Sequence, residues 1–120
     1  RTHLAASTTL GELPLAENVC NQQLREVWQE DGGSIAHVTM EQGESSLLHR
    51  HSKLTEVYLI LRGNGVLTLD GIPLEVEPDI VVPIPPNTPH KLKNVGIGPL
   101  VHLVFCVPKF DPDDVFVIRE

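Results

Sequence analysis

The chain is poor in cysteine, in aromatic side chains and in positive charge. Its two cysteines, Cys20 and Cys106, are too few for a disulfide framework. A single bridge is left open, and two buried, reduced thiols are the expected state. One Trp, one Tyr and three Phe leave most of the core to aliphatic side chains. Nine Lys and Arg against 16 Asp and Glu give a formal net charge of −7, which argues against a nucleic-acid or anionic-membrane partner. No apolar run approaches the roughly eighteen residues of a membrane span. The opening RTHLAASTTLGELP has no apolar signal-peptide core, although a start at Arg1 rather than Met leaves a removed leader open. A cytoplasmic protein is expected.

What is present is a chain of 120 residues, enough for one domain that buries roughly two-thirds of its unfolded surface. Residues 1–22 show little periodicity and are expected to form an arm, with a helical turn conceivable near 16–23. Residues 23–120 are expected to form a single domain. Nine glycines and ten prolines are spaced so that few segments have helical length. Short strands are expected instead at 24–28, 34–41, 46–51, 55–61, 65–69, 72–76, 80–84, 89–94, 100–107 and 115–118. Asp70-Gly71 between two of them is a two-residue hairpin signal, because a type I′ turn needs positive φ at both central positions. Many short strands separated by Gly, Pro and Asn predict an all-β sandwich or barrel.

Segments 55–61 and 100–107 are apolar on both faces. Val57, Leu59 and Leu61 alternate with Tyr58 and Ile60. A second cover for the outer face is therefore needed, and the neighbouring sheet, the N-terminal arm or a second subunit, in a homodimer, would supply it.

HRHSKLTE, residues 49–56, sets two histidines and a carboxylate at the head of that apolar run. His49 and His51 are two apart, so on a strand they share a face. If 46–51 and 55–61 are antiparallel neighbours, Glu56 returns level with them. Neutral imidazoles and a carboxylate are natural ligands of a divalent transition metal, which would offset the cost of burying the charge. PIPPNTPH, residues 83–90, cannot lie within a central ladder, since proline donates no backbone hydrogen bond. It suits either a rigid turn delivering His90 to a strand or an exposed loop.

These residues resemble the two motifs of the cupins. The first family motif, G-x5-H-x-H-x(3,4)-E-x6-G, is met by Gly43, His49, His51, Glu56 and Gly63. Pro85, His90 and Asn94 meet the second motif, G-x5-P-x-G-x2-H-x3-N, while Asp79 and Asn87 stand where the family has glycine. The resemblance spans about residues 24–107. It implies a double-stranded β-helix, the cupin jelly-roll barrel, with His49, His51, Glu56 and His90 holding one metal ion inside. Fe, Mn, Ni, Zn, Co and Cu all remain open: four ligands fill a tetrahedral zinc site, or leave two positions free in an octahedral one.

Tyr58 follows Glu56 by two and should share its face. The pattern through Tyr58 also resembles that of cupin-type dimethylsulfoniopropionate lyases, which implies a catalytic base there; simple core packing is the competing reading. His37 and His102 could act beside the metal or simply fill hydrogen-bonded positions. His3 lies in the arm. Lys91 and Lys93 alternate out of phase with His90 and should face solvent, and Arg50 and Arg62 fall out of register with the ligands. With no cation placed to hold a phosphate, a phosphosugar isomerase is the weaker expectation. The expected function is a mononuclear metal enzyme, dioxygenase-like, acting on a small chelating molecule. The alternatives are a non-catalytic binding or sensing protein, or a lyase or sugar isomerase of the same fold.

Overall fold

The computed structural model describes residues 7–120, so His3 lies outside the described residues. Among the described residues there are eleven strands: β1 Leu15–Ala16, β2 Gln23–Glu30, β3 Gly33–Met40, β4 His49–Arg50, β5 Thr55–Arg62, β6 Gly65–Leu69, β7 Ile72–Val76, β8 Val81–Ile84, β9 His90–Asn94, β10 Leu100–Val107 and β11 Phe116–Val117. They form two antiparallel sheets. One has the order β1-β2-β3-β10-β5-β8 and the other β11-β4-β9-β6-β7. This is the expected all-β jelly roll. No helix among the described residues is long and apolar enough to cross a membrane.

Alternation builds the core. On β5, Glu56, Tyr58 and Ile60 are buried while Val57 and Leu59 are only half-buried. On β10, Leu100, His102, Val104 and Cys106 point inward. Leu67 and Leu92 of the second sheet are fully buried and close the core from the other side. The Asp70-Gly71 hairpin forms as expected: both residues have positive φ and Leu69 pairs with Ile72. Gly63 is required by its surroundings, because a Cβ there would collide with the Pro99 carbonyl.

Three sequence expectations are corrected. The strand at 46–51 shrinks to His49–Arg50, with an isolated bridge from Ser45 to Lys93. It does not pair with β5: β4 lies between β11 and β9, whereas β5 lies between β10 and β8 in the opposite sheet. The link Ser52–Leu54 is thus a crossover between sheets, anchored by the buried Leu54, rather than a hairpin. Residues 17–22 form turns instead of a helical turn, held by Asn18, which donates to Ala16 and Gln22 carbonyls and accepts from the Gln22 amide.

Candidate metal centre

His49, His51, Glu56 and His90 are brought together although they come from both sheets. His49 and His90 face each other directly in the β4–β9 ladder. His51 lies just past the end of β4, and Glu56 reaches across from β5. One ligand atom from each lies within 4.8 Å of the others. All four side chains are buried, with exposures of 7%, 4%, 5% and 1% in the order named.

The proline turn acts as one of the two readings expected, delivering His90 to the start of β9. Its geometry also accounts for the two missing glycines. Asp79 and Asn87 both adopt positive φ, 75° and 61°, so the left-handed backbone is kept without glycine. Asn87 is tied down by its own contacts: its amide donates to the His51 carbonyl at 2.6 Å, and its Oδ1 accepts from Arg50 at 3.0 Å. Asn94 is a structural tie, donating to the Met40 and Gly98 carbonyls.

The hydrogen bonds behind the imidazoles fix their tautomers. Nδ1 of His49 contacts the Leu47 carbonyl at 2.8 Å. Nδ1 of His51 contacts the Asp114 carbonyl at 2.8 Å, and Nδ1 of His90 the Thr88 carbonyl at 2.9 Å. A carbonyl only accepts, so each Nδ1 carries the proton and each Nε2 offers a lone pair. Nε2 of His51 and of His90 lie 3.2 and 2.8 Å from Glu56 Oε1. These distances would suit ion pairs, yet neither contact is aligned as a hydrogen bond, and all three atoms are buried without a hydrogen-bond partner. The alignment is the better guide, because the backbone carbonyls already hold the ring protons. Acceptors converging on one point with no donor between them are what a cation needs. The four side chains could hold a metal ion.

The electrostatics agree at His49 and Glu56, whereas His51 is shifted toward its protonated form. Burial presses the His49 imidazole down to about 4, so it stays neutral and able to ligate. Burial would raise the Glu56 carboxyl, but the contacts with His51 and His90 outweigh it and hold the group at about 2. At His51 burial acts downward, and its contacts with Glu56 and, secondly, with the Asp114 carbonyl overcome it to leave a net rise.

Asp114 is a contributor that the motif reading missed. It ends a short 3₁₀ turn, Pro112–Asp114, whose first amide is capped by the Asp111 side chain. The buried Asp114 carboxylate accepts from the Ser52 amide at 2.9 Å and the Lys53 amide at 2.9 Å, as well as from the Ser52 hydroxyl. Its carbonyl at the same time orients His51. Burial opposes ionisation of Asp114, but these donors hold its carboxyl below the ordinary value. The Asp111-Pro-Asp-Asp run was the available signal, a capped turn at the chain's end.

Beside the cluster is a cavity of about 780 Å³, lined by His49, His51, Glu56, Tyr58 and His102 among others, a volume suited to a small organic molecule. Tyr58 sits one layer from Glu56, its ring 6.0 Å from His90 and 5.0 Å from His102. Burial and the Glu56 charge raise its phenol well above the ordinary value. His37 is on the outward-facing register of β3, opposite Leu103, and does not line this cavity. Lys93 is exposed and Lys91 pairs with Glu120. Arg50 covers the Phe116 ring instead of approaching the cluster. Both cysteines are free and both line the cavity.

A β-jelly roll enclosing a His₃Glu cluster defines a small cupin. The family model described as Cupin domain matches residues 36–106, and the chain belongs to that family. It is 38% identical over 86 residues to the uncharacterized protein MJ1618 of Methanocaldococcus jannaschii, covering 72% of this chain and 69% of that one. Among solved structures it resembles Pac13, a nucleoside dehydratase from Streptomyces, with TM-score 0.79 and 17% identity over 97% of this chain and 92% of that one. It also resembles KdgF from Halomonas sp., with TM-score 0.80 and 15% identity over 90% and 97%. At such identities these structural likenesses speak for the fold.

Proposed function

We propose that His49, His51, Glu56 and His90 hold one divalent transition-metal ion, and that the protein is a mononuclear metal enzyme acting on a small chelating molecule in the adjoining cavity. The observation that carries this reading is the set of buried acceptors at the cluster: three imidazoles protonated on Nδ1 by contact with carbonyls, and a carboxylate with an unpartnered oxygen. When bound, an ion with open positions supplies Lewis-acid activation of a substrate's oxygen atoms or a place for dioxygen beside it. Three nitrogens and one oxygen suit Fe, Mn, Co, Ni, Cu or Zn, with the octahedral members leaving two positions for ligands.

Tyr58 is the side chain best placed for proton chemistry in the cavity. Its raised phenol stays protonated, which favours donating a hydrogen bond over acting as the base. The apolar outer face of strands β10, β5 and β8 supports a homodimer. A nucleoside dehydratase on the same fold supports a lyase-type variant of the reading, so oxygen uptake and elimination should be assayed side by side.

Elemental analysis tests the site. The purified protein should carry close to one metal ion per chain, and Glu56→Gln, which keeps shape and removes charge, should lose most of it. Unchanged metal in Glu56→Gln would remove the basis of the assignment.

A further inference from the structure

The cavity lining has a charge bias that nothing in the metal cluster requires. Among the described residues that line it there is no Lys or Arg. Two acidic residues other than Glu56 line it, Glu17 and Glu26, and both are exposed. Glu26 is there by plain alternation with Leu24, which also lines the cavity, and Gln29 through a backbone irregularity. On a regular strand residues three apart face opposite ways, yet Glu26 and Gln29 both line the cavity. The register shift between Glu26 and Trp28 reconciles them, as a β-bulge re-aims side chains beside a site. Glu17 arrives separately, on the turn segment after β1 that Asn18 ties together.

A second feature points to an occupant. His102 lines the same cavity with 2% exposure, and its Nδ1 has no hydrogen-bond partner. On β10 it lies across from Ile60, four residues deeper along β5 than Glu56, and its ring stacks at a tilt on Tyr58. Burial holds this imidazole at about 4, so it is a neutral hydrogen-bonding group and offers no charge to an anion.

We propose that the cavity takes a small molecule whose only anionic atoms are those bound to the metal: an uncharged or cationic compound, selected by Glu17 and Glu26 at the mouth and hydrogen-bonded by His102 at the inner end. This rests on the metal reading above. Phosphorylated and carboxylate-tailed compounds are disfavoured twice, by repulsion at the mouth and by the lack of a Lys or Arg inside to pair with an anionic group away from the metal.

Three chelators of matched size provide the test: 3,4-dihydroxyphenylethanol, dopamine and 3,4-dihydroxyphenylacetate, which differ in a neutral, cationic or anionic tail. Dissociation constants are measured calorimetrically on the Co(II)-loaded protein without oxygen, with metal content determined on the same samples. The neutral and cationic probes should bind at least about tenfold tighter than the anion. The double variant Glu17→Gln, Glu26→Gln should narrow that gap to within about threefold at unchanged metal content. His102→Leu should weaken the neutral probe by about tenfold while keeping its cobalt, and His102→Gln should restore most of the loss. Equal or tighter binding of the anion, a gap that the double variant leaves intact, or indifference to His102→Leu would overturn the inference. Absence of cobalt from the wild-type protein would instead overturn the metal reading, so the two failures are separable.

Discussion

His102 makes folding sensitive to acid on its own account. Its imidazole is pressed from 6.5 to about 4, chiefly by burial, with His37 also acting downward and Glu56 upward. The unfolded chain therefore takes up a proton at a pH where the folded chain does not. Stability from this residue is complete above about pH 6.5 and falls as pH drops toward 4, by about 3 kcal/mol in all. Chemical denaturation of the chelator-treated protein between pH 7 and 4 should show that slope, and His102→Leu should make it shallower by His102's share, leaving the part that His49, also held at about 4, contributes. Identical slopes in the two proteins would mean that the ring is solvated. The burial of residue 102 was legible from its alternation with Val104 and Cys106. Its orphaned nitrogen was not, because hydrogen-bond satisfaction depends on neighbours from other strands. Asp79 and Asn87 show the converse: a spacing match located two left-handed positions even where glycine was absent.

At the scale of elements, the crossover between sheets decides how the ligands meet. The short SKLT link was expected to close a hairpin, and strand spacing cannot tell a hairpin from a crossover when both are short. The side chain that settles it is Leu54, whose burial at 2% exposure draws the link through the core. The four residues converge despite that error, because the motif fixes which residues meet without fixing the route. The 3₁₀ turn Pro112–Asp114 then clamps the link, since Asp114 accepts from the backbone of Ser52 and Lys53 while its carbonyl aims His51. Groups of this kind behind a ligand are worth about 10- to 100-fold in metal affinity. Asp114→Ala should lower affinity in that range, read by competition with a chromophoric chelator, while circular dichroism keeps its β signature. An affinity within twofold of wild type would show that His51 needs no clamp.

The whole molecule has a face that a lone sandwich would not leave to water. Outside the six-stranded sheet one row runs Phe105, Val57, Pro83 across three strands, and the next row sets Leu103 and Leu59 beside Val81. An antiparallel sheet with one wet face ordinarily alternates apolar and polar, and contiguous apolar patches of more than a few hundred Å² mark contact surfaces. A two-fold arrangement buries the same patch on both copies and leaves the cavity, on the opposite side of this sheet, unobstructed. Val57 and Leu103 each have partly exposed side chains on that outer face, so Val57→Lys and Leu103→Lys place a charge where the second copy would sit. Sedimentation at micromolar concentration should give a two-chain mass for the native protein and a one-chain mass for each variant. Retained metal in the variants would show that the barrel is intact. A native protein that sediments as a single chain at those concentrations would mean that the apolar rows serve only to stiffen the wall behind Glu56 and Tyr58.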